Sequence, residues 1–310
     1  MIVPRTWHLL SGLTLAAFAA RQQPYQTRLR ELRDQKRAAP VFAKAPWLFD
    51  VDQALAKARS DRKLVFVYFA CSYVPCPPCE ELENGALADP AFARFADDVV
   101  LLLHVTSRVD GEPHGNLLRE KSFSAFPTLC LLSPDGDVLA TILEAEQRTV
   151  PAFTMLHARA RTVFDLRGKA KGGDPAAAKD LFLAELDLDL LTMAQAQERA
   201  ATVALNEPER VHVAARLTDL EVRDLLARSR DLGTAKVEAT IAEMARAGRR
   251  PTEATAESFW WTTLTFAANK RDAALAESAH DELARRFGRD KRYEKMLPRW
   301  RKLLEQAKTK

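Results

Sequence analysis

The sequence predicts an α/β domain followed by an all-helical one, on three observations. Strand-like and helix-like patterns alternate between Trp47 and about Arg167, as in a layered α/β unit. Lys171-Gly172-Gly173-Asp174-Pro175 then breaks the chain, with Asp174 placed as an N-cap and Pro175 as the first helical residue. After that break no strand pattern returns. A length of 310 residues suits about two domains at roughly 100–200 residues each. The composition is 47% hydrophobic and 28% charged, which argues against disorder throughout. A net charge of +4 gives no reason to expect nucleic acid as a partner. Four cysteines are too few to staple a disulfide-rich scaffold.

The elements follow in order. Leu9 to Ala20 is an uncharged, mostly apolar run behind Arg5, and Ala17-Phe18-Ala19 has the small-x-small pattern of a cleavage site. Residues 1–20 therefore read as a secretory signal peptide cleaved near Ala19 or Ala20, which implies a periplasmic or secreted protein. The alternative is the N-terminal helix of a cytosolic protein. Residues 21–45 are polar and basic and read as a solvated linker, the alternative being a short helix over the stretch TRLRELRDQKR. Asp50 is placed to cap a helix through Arg62, and Leu64–Phe69 is an apolar run suited to a strand covered on both faces. A cysteine-rich turn follows, then a helix over Glu80–Leu87 and another opened by Asp89-Pro90. Val99–Val105 and Thr128–Leu132 read as further buried strands. Pro134-Asp135-Gly136 turns the chain into a hairpin partner over Asp137–Leu143, and Thr149 opens a closing helix.

The chemistry lies in the turn. Cys76 and Cys79 form a C-x-x-C between a buried strand and a helix. A cysteine at a helix N-terminus has its thiolate favoured, and one a turn later can attack a mixed disulfide formed by the first. Cys71, Cys76 and Cys79, with Cys130 beyond, also match the ligand spacing of plant-type [2Fe–2S] proteins. Pro75, Pro77 and Pro78 remove backbone donors from that loop, and no His shares it, so neither a cluster nor zinc is favoured. We expect no cofactor and no metal. Pro127, at the start of the third strand, is either cis or an ordinary trans proline.

The stretch KLVFVYFA, CPPCEELE, LADPAFARFADDVVLLLHVTS and FPTLCLLSPDG resembles the thioredoxin-like superfamily. The likeness is greatest to its extracytoplasmic branch, which includes the C-terminal domain of the bacterial transmembrane disulfide reductase DsbD. The resemblance covers about residues 46–165 and implies a central mixed sheet flanked by helices. It implies Cys76 as nucleophile, Cys79 as resolving thiol, and Pro127, with Phe126, as a substrate-facing cis-proline site. It also brings the strand ending near Cys71 antiparallel to the one starting at Thr128. Cys71 and Cys130 would then form an auxiliary disulfide or a thiol reserve, or else be two small buried hydrophobes. Three positions depart from the family pattern: Pro75 stands where an aromatic is usual, Tyr68 where a buried acid is, and Glu80 where a lysine is.

The domains are thus expected at 46–168 and 174–310. Helices are predicted over about 174–186, 192–204, 207–229, 234–247, 252–270, 273–287 and 290–307, packed as hairpins with a tetratricopeptide-like look. Phe259-Trp260-Trp261 is either a peptide groove or interhelix core. Arg285–Lys310 carries eleven basic against three acidic residues; it is either a packed last helix with a solvated basic face or a membrane-touching one. The expected function is thiol–disulfide exchange on protein substrates with an unidentified redox partner, and the helical domain would recruit proteins. The alternative is a non-catalytic scaffold.

Overall fold

The computed structural model describes residues 11–142 and 145–309, with side chains from residue 23 onward. The signal-peptide reading lies outside the described residues over 1–10, and over 11–20 only the backbone is described. The chain divides into two units, Met1–Gly173 and Asp174–Lys310.

The first unit is built on a four-stranded sheet: β1 (Leu64–Cys71), β2 (Val99–Thr106), β3 (Thr128–Leu132) and β4 (Val138–Ile142), in the order β2-β1-β3-β4. β2 runs parallel to β1, whereas β3 and β4 are antiparallel, so the sheet is mixed. All eight residues of β1 are buried. That accounts for the unbroken apolar run in the sequence, because a central strand covered on both faces has no solvent side to alternate with.

Two cores lie on the two faces. Val65, Val67 and Phe69 pack with Cys130, Leu132 and Val51, Ala54 and Ala58 of helix α2 (Val51–Asp61). The intervening residues Phe66 and Tyr68 meet an aromatic cluster. Phe66 contacts Trp47, Phe92, Phe95 and Phe153 at ring centroids 5.0–6.4 Å apart, and Tyr68 contacts Phe42 and Trp47. Burying each such ring contributes about 1.5–3 kcal/mol.

The helix starts behave as their sequences require. Asp50 Oδ1 accepts from the Gln53 N–H at 2.8 Å, and Asp89 Oδ1 from the Ala91 N–H at 2.8 Å. Helix α3 (Pro77–Asn84) follows the cysteine turn, α4 (Pro90–Asp98) leads into β2, and α5 (Leu117–Glu120) precedes β3. Helix α6 (Val150–Lys171) closes the unit under a Thr149 cap.

The segment read as a linker is helix instead. α1 (Ser11–Arg37) is followed by a 3-10 turn over Pro40–Lys44. Leu29 and Phe42 are buried, Lys36 pairs with Glu83, and Arg33 and Arg37 both pair with Glu112. The basic residues that made this stretch look solvated serve as cations for acids on the domain.

The second unit is all helix: α7 (Pro175–Asp187), α8 (Met193–Thr202), α9 (Glu207–Ala227), α10 (Ser229–Leu232), α11 (Thr234–Arg246), α12 (Glu253–Lys270), α13 (Ala273–Phe287) and α14 (Leu297–Lys308). Capping boxes open α8 (Thr192 with Gln195) and α9 (Asn206 with Glu209). Phe259 and Trp260 are fully buried and meet edge to face at 4.8 Å, while Trp261 is partly buried against the same core. The aromatic run is therefore interhelix core. Trp300 of α14 is buried in that core, and Leu297, Leu303 and Leu304 pack against it. The apolar side of the basic C-terminal helix is thus turned into the protein. Among the described residues, no helix is long and apolar enough to cross a membrane.

Candidate functional site

β1 ends at Cys71, and residues 72–76 lead directly into α3. The Ser72 N–H donates to the Thr106 carbonyl at 3.3 Å, and the Cys71 thiol donates to the Val74 carbonyl at 3.7 Å. These bonds tie the loop to the C-terminal end of the sheet. Cys76 is the N-cap of α3, and Pro77 and Pro78 form its first two helical positions. Proline suits those positions because no intrahelical partner awaits their N–H groups.

Cys76 and Cys79 are joined in a disulfide, with Cα atoms 5.2 Å apart. The two sulfurs are not equivalent. Cys76 is half-buried, whereas Cys79 is 0% exposed. The two prolines also change the electrostatics expected at Cys76. They contribute no N–H, and the N–H groups of Cys79 and Glu80 both donate to the Cys76 carbonyl, at 2.9 and 3.1 Å. The helix dipole rather than a ring of amide donors therefore acts on the Cys76 sulfur.

Beneath Cys79 lies a polar group that the sequence reading missed. Glu83, one turn further along α3 and 8% exposed, shares the inward face of the helix with Cys79, as residues four apart do. Its Oε1 accepts from the Tyr68 hydroxyl at 2.6 Å and lies 2.5 Å from Lys36 Nζ. Burial pushes the Tyr68 phenol far above its ordinary range, and the Glu83 charge beside it adds to that shift. Tyr68 thus acts as a hydrogen-bond donor to a carboxylate that α3 supplies. The four-residue spacing from Cys79 was visible in the sequence, but the Lys36 contact comes from a distant helix and had no local signal.

The Phe126–Pro127 peptide bond is cis. β3 begins with Thr128 opposite Phe69 of β1, so Pro127 stands at the sheet end from which the Cys76–Cys79 loop departs. The Phe126 ring meets Tyr73 at 6.5 Å, nearly perpendicular.

Cys71 and Cys130 are both free and buried, and the disulfide considered between them is absent. The strand register gives the reason. Cys130 pairs with Val67, four residues before Cys71, an offset of about 13 Å along the strand at roughly 3.3 Å per residue. That is well beyond the roughly 7 Å limit for bridging two Cα atoms. Burial pushes the Cys130 thiol far up, so it stays protonated. The same offset holds Cys130 away from the other three cysteines as a fourth ligand. Among the described residues, no group of three or more His, Cys, Asp or Glu side chains is arranged to hold a metal ion.

A family model described as thioredoxin-like matches residues 46–134. Among solved structures, one titled DsbH oxidoreductase is 20% identical, with a TM-score of 0.28, over 32% of this chain and 72% of its own. The solution structure of a thioredoxin from Thermus thermophilus is 24% identical, with a TM-score of 0.28, over 33% of this chain and 76% of its own. No curated protein matches the chain. Residues 46–134 are thus a thioredoxin-like domain, followed in the same chain by a largely helical C-terminal region.

Proposed function

We propose that the protein is an exported thiol–disulfide oxidoreductase acting on protein substrates, with Cys76 as nucleophile and Cys79 as resolving thiol. The observation that carries this reading is the unequal exposure of two cysteines already joined at the mouth of α3. In the reduced protein, the Cys76 thiolate attacks one sulfur of a substrate disulfide. The substrate S–S bond breaks, one substrate thiolate leaves, and a mixed disulfide remains on Cys76. Glu83 takes the proton of Cys79, whose thiolate attacks the Cys76 sulfur. The second substrate thiolate then leaves and takes up a proton, so the substrate gains the two electrons that the protein gives up as Cys76 and Cys79 close into their disulfide. The reverse sequence oxidises a substrate dithiol, and the redox partner sets the direction. Phe126 and Pro127 flank the incoming chain.

A disulfide-reduction assay on wild type, Cys76→Ser and Cys79→Ser tests the proposal. Activity in the wild type, loss in both variants and trapped mixed disulfides with Cys79→Ser support it. An inactive wild type that still binds peptides assigns the scaffold role instead.

A further inference from the structure

Beside the disulfide is a surface that the exchange chemistry alone does not use. Tyr73 lies between two partners. The Arg108 guanidinium sits 4.0 Å from its ring centroid, and the Phe126 ring meets it edge-on. Stacking on an aromatic face fixes a guanidinium in place without neutralising it. Arg108 is exposed, as is Val74, the neighbouring loop residue, at 52%.

A cleft of about 550 Å³ opens from Arg108 and is also lined by Thr106, Asp110, Glu112, Asn116 and Arg119. Among the described residues neither Arg108 nor Arg119 is in an ion pair; the Arg119 guanidinium donates only to Asn116 Oδ1 at 2.9 Å. Of the two acids on the wall, Glu112 is already engaged. Burial works against its charge, but the Ser107 hydroxyl and the guanidiniums of Arg33 and Arg37 outweigh that and hold its carboxyl below the usual range. Asp110 is exposed and pairs with neither arginine. Thr106, whose carbonyl anchors the cysteine loop, keeps its hydroxyl buried without a hydrogen-bond partner. Two cations outside any ion pair thus share one cleft near the cysteine loop.

We propose that this cleft receives an acidic residue flanking the substrate's half-cystine, making the enzyme selective for acidic polypeptide segments. The carboxylate pairs with Arg108 and Arg119, while an apolar neighbour rests on Val74 and Phe126. This rests on the oxidoreductase reading and names its substrate class.

The test uses the full reduced chain and three synthetic peptides of equal length, each a symmetrical disulfide dimer. The residues flanking their single cysteine are Glu, Gln or Lys. The Glu dimer should be reduced about fivefold faster than the Gln dimer and the Lys dimer more slowly still, with the spread shrinking as salt is raised. R108Q and R119Q, both at exposed positions, should each narrow the ratio of the Glu to the Lys rate, and R108K should retain part of it. Equal rates for the three dimers in the wild type would overturn the selectivity and leave the oxidoreductase standing. No reduction of any dimer would overturn both.

Discussion

Glu83 is the residue that most changes the picture drawn from the sequence. The resemblance implies an acid on the strand, where Tyr68 stands instead. The structure supplies the carboxylate from α3 and uses Tyr68 to hold it, at 2.6 Å. If Glu83 accepts the Cys79 proton, Glu83→Gln keeps the Tyr68 contact but cannot take that proton. Resolution of the mixed disulfide should then slow by about tenfold to a hundredfold, while the first attack by Cys76 is unchanged. Quenched-flow trapping of the intermediate separates the two steps, and an unchanged resolving rate would remove Glu83 from the chemistry. The register also gives Cys71 a local use as a donor to the Val74 carbonyl rather than as a partner for Cys130.

At the scale of elements, α1 is the surprise. Its cations meet Glu83 and Glu112, and Leu29 is its buried apolar anchor. Leu29→Ala should cost about 2–3 kcal/mol of domain stability, read as a lower urea midpoint at unchanged slope; an unchanged midpoint would mean that α1 does not stay docked in solution. The helical unit has its own critical polar group. Asp219 is 0% exposed and accepts from Arg216 at 2.8 Å, from the Thr252 hydroxyl at 2.6 Å and from Thr255 at 2.7 Å. Asp219→Ala leaves Arg216 its Asp189 partner but removes the acceptor shared by the Thr252 and Thr255 hydroxyls, so destabilisation by about 1–3 kcal/mol is expected. The fluorescence of buried Trp260 and Trp300 during urea unfolding reports it.

Much of this was legible in the sequence, for identifiable reasons. The strand runs, the caps at Asp50, Asp89 and Asp174, and the breaks between helices are local signals, and the structure follows them closely. What escaped depends on register or on distant pairing. Spacing alone could not show that Cys130 faces Val67. The basic composition of residues 21–45 could not reveal acids waiting on another element. The contact of Tyr73 with Phe126 depends on the path of the loop, which the sequence does not display.

Taken whole, the molecule consists of two units with different sources of order: an aromatic and aliphatic sheet core in one, interlocked helices in the other. The first unit also carries a pH dependence. Burial lowers the basicity of both His104 and His157, and the His104 Nε2–H donates to the His114 carbonyl at 2.9 Å. Below their unfolded value near 6.5, the unfolded chain binds protons that the folded one refuses. Stability therefore falls as pH drops through that value and recovers above it. Urea midpoints at pH 7.5 and 5.5 should show the loss, and His104→Asn should reduce it.

The central claim is that the two sulfurs at the head of α3 have different jobs because they have different access to solvent. It is tested most directly by reducing the full chain, pulsing it with iodoacetamide and mapping the labelled cysteines by mass spectrometry over time. The account predicts rapid modification of Cys76, slow modification of Cys79, and almost none at Cys130 until the chain unfolds. Equal rates at Cys76 and Cys79, or labelling of Cys79 first, would contradict it.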